Sequence, residues 1–81
     1  MKTFECRVTL NKVETQLREL SYNHDLTKMY KNLENMLSNI SKIEVECRRN
    51  KRYSLLETPI KDFNLAVDRL EKLIILAKLM E

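Results

Sequence analysis

Glycine is absent from the 81 residues, proline occurs once, tryptophan is missing, and the rings amount to three tyrosines and two phenylalanines. Glycine supplies positive φ and lets backbone approach a phosphate closely. A Walker loop, a GxGxxG turn, a nucleophile elbow and an EF-hand loop all need it, so none of these is present. Tight hairpins of types I′ and II′ depend on Gly or Asn, which argues against an all-β sandwich. The two cysteines, Cys6 and Cys47, do not make a disulfide framework, and a reducing compartment is the default for such a chain. No stretch of about 18 apolar residues occurs, so no transmembrane helix is expected. The opening MKTFECRVTL lacks an uninterrupted apolar core and a small-residue cleavage site, so no secretion signal is read there. These features together predict an intracellular, cytoplasmic location.

What is present reads as helix. Hydrophobic residues make up 43% and charged residues 33%, a balance that suits a folded chain rather than a disordered one. The length suits one small domain over 1–81 with a modest core. Leu26, Tyr30, Leu33, Leu37 and Ile40 recur at spacings of 4, 3, 4, 3, which predicts a helix over 25–48. Asn23 or Asp25 can cap its start, and Arg48 and Arg49 suit the negative pole at its end. Phe63, Val67, Leu70, Ile74 and Ala77 repeat the same spacing over 59–80, with Thr58-Pro59 as a start signal.

Leu10, Val13, Leu17 and Leu20 predict a shorter helix over 12–21. Before it, Phe4, Cys6, Val8 and Leu10 alternate with polar residues, the period of a strand. Ile43, Val45 and Cys47 alternate likewise. The expected fold is therefore all-α: an antiparallel helical hairpin crossed by a short N-terminal helix, a three-helix bundle. Residues 1–10 form an arm or a β-strand in this reading, 49–58 form a basic loop, and a dimer is expected. The alternative is an α+β arrangement in which 3–10 pairs with 43–47.

Two features stand out as candidate sites. Arg48, Arg49, Lys51 and Arg52 place four positive charges in five residues, with Tyr53 beside them. The whole chain is only +3, so the remainder is slightly acidic. Such a cluster can neutralise phosphates while a ring stacks on a base; it also suits a solvated helix end. With no glycine to make the turn, Asn50 is the residue best fitted to unusual backbone angles there. The second feature is the apolar C-terminus, with Leu73, Ile75, Leu76, Leu79 and Met80 as candidate interface residues, of which Ile75, Leu76 and Leu79 reach faces that the main stripe does not cover. One antiparallel neighbour hides one stripe only, so these residues need the first helix or another subunit.

Other candidates weigh less. Cys6, Cys47 and His24 are too scattered for a tetrahedral zinc site and read as core thiols and a polar turn. No metal and no cofactor is expected. Glu44/Glu46 and Asp68/Glu71 read as helix-face ion-pair partners rather than catalytic acids. Tyr53-Ser54-Leu55-Leu56 has the form of a tyrosine-x-x-hydrophobic sorting signal, a pattern short enough to arise by chance. The function expected is that of a small non-catalytic interaction module of adaptor, co-chaperone or inhibitor type. It would self-associate as a homodimer through its C-terminal helix and meet a protein partner. The alternative is a nucleic-acid-binding accessory protein that uses the basic loop Arg48–Arg52.

Overall fold

The computed structural model describes residues 2–81, which form α1 (Lys2–Arg18), α2 (His24–Asn50), a 3-10 turn (Tyr53–Leu56) and α3 (Glu57–Met80). No strand occurs among the described residues. The up–down–up order follows from contacts along each pair of helices. Glu14 meets Tyr30 and Thr3 lies beside Glu44, so α1 and α2 are antiparallel. Glu19 meets Lys78 and Ser21 meets Glu81, so α1 and α3 are parallel. The body is a rod of 48 × 17 × 15 Å.

The segment 3–10 is helical, which corrects the strand alternative. Its alternation splits in two on a helix. Cys6 and Leu10 turn inward and continue through Val13, Leu17 and Leu20 at spacings of 4, 3, 4, 3. Phe4 and Val8 turn outward and are exposed. Two of the three β-branched threonines within α1 bond back to their own helix: the Thr9 and Thr15 hydroxyls donate to the carbonyls of Glu5 and Asn11, each at 3.1 Å. α1 thus begins ten residues before the expected position 12. Val45 is likewise exposed while Cys47 is sealed in, so α2 stays helical through 43–47.

α2 starts as expected, with the Asn23 side chain accepting from the Leu26 N–H at 3.1 Å. Its end differs from expectation. Asn50 remains in the helix and Lys51 takes the left-handed conformation, at φ 56° and ψ 36°. The Lys51 and Arg52 N–H groups both donate to the Cys47 carbonyl, the closure a glycine normally makes. The start of α3 is also corrected. Thr58 is not the cap: the 3-10 turn feeds straight into Glu57, and Leu56 precedes the helix with no side-chain cap. Pro59 is the third residue of α3, still in the first turn where N–H groups lack intrahelical partners.

The core is one cluster along the rod. Leu10, Val13, Leu33, Leu37, Ile40, Cys47, Phe63 and Leu70 are sealed from solvent, and Leu56 plugs the end beyond the start of α1. Each large side chain contributes roughly 1.5–3 kcal/mol before chain entropy is deducted. Leu17 and Ala77 are only partly buried at the opposite end.

Candidate functional site

The two candidate sites lie at opposite ends of the rod. The basic run sits where α2 turns into α3, and the apolar C-terminus sits where α3 stops. The 24 residues of α3, about 36 Å at 1.5 Å per residue, separate them.

At the basic end, Arg48, Arg49, Lys51, Arg52 and Tyr53 are all exposed. The left-handed turn at Lys51 packs the charges into one tight reversal. Arg48 is engaged from below by Glu44, Nη2 to Oε2 at 3.4 Å. Glu44 is the one buried charged residue among those described. Its carboxyl is held below the usual range mainly by Thr3, against the opposing effect of burial, with further help from the Arg48 charge. Thr3 acts on Glu44 from both its side chain and its backbone. Asn50 Nδ2 donates to Glu46 Oε2 at 3.5 Å. Of the two glutamates expected as helix-face ion-pair partners, Glu44 pairs with Arg48, while Glu46 meets the neutral Asn50 amide. Leu56 is buried in the 3-10 turn, so the tyrosine-x-x-hydrophobic tetrapeptide is not displayed as a linear signal.

At the other end a polar clasp closes α3 onto α1. Lys78 Nζ meets Glu19 Oε2 at 2.7 Å, and the Ser21 N–H donates to Glu81 Oε1 at 2.7 Å. The clasp leaves the apolar residues outside. Ile75, Leu76 and Leu79 are 59%, 56% and 78% exposed on the face of α3 turned away from the core. The first helix does not cover them. Leu73, 37% exposed, sits at the flank of α3, and Met80, 86% exposed, borders an open cleft beside the turn Leu20–Asn23. Leu65 joins the outward face at 58% exposed, a residue the sequence reading missed. The signal for it was the outer spacing 61, 65, 68, 72, 75, 79, which charged residues at half its positions obscure.

A cleft of about 460 Å³ opens between the end of α1 and the start of α2. Three of its polar residues engage one another: Tyr30 Oη donates to Glu14 Oε2 at 2.6 Å, and Arg18 pairs with Glu14 at 2.9 Å. Burial first, then the Glu14 carboxylate, pushes the Tyr30 hydroxyl well above its ordinary pKa. Tyr30 therefore stays a hydrogen-bond donor, a structural role. His24 is exposed beside Asp25 at 3.6 Å in the first turn of α2. Cys6 and Cys47 are both buried and are not joined in a disulfide. Among the described residues, no group of three or more His, Cys, Asp or Glu side chains converges as metal ligands, and no helix is long and apolar enough to cross a membrane. Compared with known protein families, curated proteins and solved structures, the chain matches none.

Proposed function

We propose that this protein is a small non-catalytic helical interaction module, of adaptor, co-chaperone or inhibitor kind, that self-associates through the outer C-terminal face of α3. The observation behind this reading is the row Ile75, Leu76 and Leu79, large apolar side chains left in solvent although a neighbouring helix is present to cover them. Clustered exposed apolar residues mark interaction surfaces on folded proteins. A core this small also gains materially from a second subunit. Light scattering over a concentration series tests it. A dimer mass is expected for the native chain, and Leu76→Asp with Leu79→Asp is expected to shift it to monomer. A native chain that stays monomeric at high concentration, and whose partner capture those two changes leave intact, rejects the reading.

A second reading is supported by the turn at Lys51, which concentrates Arg48, Arg49, Lys51 and Arg52 next to the exposed Tyr53 ring. In this reading the basic tip binds nucleic acid. Affinity would then fall by roughly 0.9 log units per contacted phosphate for each log unit of salt on B-DNA. A gel-shift titration on DNA and RNA, with and without alanine at the four basic positions, checks it. Equal or absent binding by both proteins rejects it. The two readings are compatible, since each uses a different end of the rod.

A further inference from the structure

The outward face of α3 carries a second seven-residue repeat behind the core stripe. Lys61, Leu65, Asp68, Lys72, Ile75 and Leu79 follow one another at spacings of 4, 3, 4, 3, 4. Alternating spacings of four and three define the seam of a two-stranded coiled coil. All six positions are exposed, and none of them packs into the bundle core. The stripe is roughly 28 Å long at 1.5 Å per residue.

Its order is self-complementary in one direction only. In a parallel pair each residue meets its own copy. Asp68 would then face the partner's Asp68, and Lys72 the partner's Lys72, placing like charges at the centre of the seam. In an antiparallel pair centred between these residues, Asp68 faces the partner's Lys72, and Leu65 faces the partner's Ile75. Leu79 then packs along the alkyl stem of the partner's Lys61, as long cationic side chains allow. This register also alternates the two seam positions as antiparallel coiled coils require. Asp68 and Lys72 already pair within the chain at 3.0 Å, both side chains well exposed. Two such pairs brought together in opposite directions close a ring of four alternating charges, with a Leu–Ile layer on each side.

We infer that a second copy of this chain docks antiparallel on the outer face of α3, with Leu65 against the partner's Ile75 and Asp68 against the partner's Lys72. This rests on the self-association reading above and specifies its partner and register. The basic tips then point away from each other at the two ends of the dimer, whereas a parallel pair would set eight like charges side by side.

Sedimentation velocity on the full chain reads the mass, and oxidative cross-linking of exposed cysteine variants reads the register. Leu65→Cys mixed with Ile75→Cys is expected to give a disulfide-linked dimer. Leu65→Cys alone is expected to give none, because its own copy lies about 15 Å away, ten residues along the helix. The buried native thiols Cys6 and Cys47 do not compete, and far-UV circular dichroism confirms that each variant folds. Asp68→Lys alone should weaken association about tenfold or more, since like charges then meet, and Asp68→Lys with Lys72→Asp should restore it. A dimer by mass that links Leu65→Cys to itself, or that ignores Asp68→Lys, overturns this register while leaving self-association standing. A monomer at every concentration overturns both.

Discussion

The two ends of the rod are built from the same three helices and are finished in opposite ways. At the basic end, α2 and α3 run beyond the start of α1, and the chain covers the gap itself. Lys51 turns the backbone and Leu56 plugs the core, while the charged run stays out in solvent together with Tyr53 and Leu55. At the other end the closing contacts are polar, Lys78 with Glu19 and Ser21 with Glu81, and they draw α3 inward by one edge only. The apolar residues on its outer side stay in water. A helix flanked on two sides still has a third. Whether that side is charged or apolar is a matter of sequence, and here it changes along α3 from Lys61 to Leu79.

This contrast can be broken most directly at the plug. Leu56→Ala opens a cavity at a site that is 3% exposed and should cost about 3 kcal/mol in urea denaturation. Leu79→Ala at the opposite end, measured at a concentration where the protein is monomeric, should leave stability unchanged. Equal losses at the two positions would mean that Leu79 is packed in solution. Tyr30→Phe removes the 2.6 Å bond to Glu14, a hydrogen bond to a charged group, and should cost about 1.5 kcal/mol by the same assay. Lys51→Gly should act in the other direction. A lysine at φ 56° pays a steric penalty that glycine does not, so the change should stabilise the fold by about 1 kcal/mol. Lys51→Ala retains that penalty and should not help.

The smallest effect concerns pH. The Glu44 carboxyl is held below its unfolded value, so its contribution is present above that unfolded value and disappears as pH falls through the folded one. The native chain should therefore lose more stability than Glu44→Gln between neutral and strongly acidic pH, as read by thermal melts. Parallel acid profiles for the two proteins would show that Glu44 is as well solvated folded as unfolded.

Legibility in the sequence followed the same contrast. The hairpin of α2 and α3 was readable because Leu26 to Ile40 and Phe63 to Ala77 repeat without interruption. The first ten residues misled because Phe4 and Val8 are apolar and exposed, so they imitate strand alternation while Cys6 and Leu10 carry the helical stripe. Thr58-Pro59 marked the correct region for the start of α3 but not its residue, because the preceding 3-10 turn supplies the entry that a capping side chain otherwise provides. Asn50 was expected in the left-handed turn on intrinsic preference. The turn falls one residue on, at Lys51, where the Lys51 and Arg52 N–H groups close onto the Cys47 carbonyl, and intrinsic preference alone does not read that position. The basic cluster was legible as composition, and its distance from the apolar face as the length of the last helix, but that α1 leaves Ile75, Leu76 and Leu79 uncovered was not, since one helical stripe does not say on which side a third helix packs.

An odd number of helices also decides how the rod carries load. α1 begins at the basic end and α3 finishes at the other, so a pull applied between the start of α1 and the end of α3 runs along the 48 Å axis. The parallel pair α1 and α3 is then loaded in shear, with every core layer between Cys6 and Ala77 strained at once rather than peeled one after another. A hairpin of two helices would unzip under the same geometry; this bundle would resist as a block until the layers give way together.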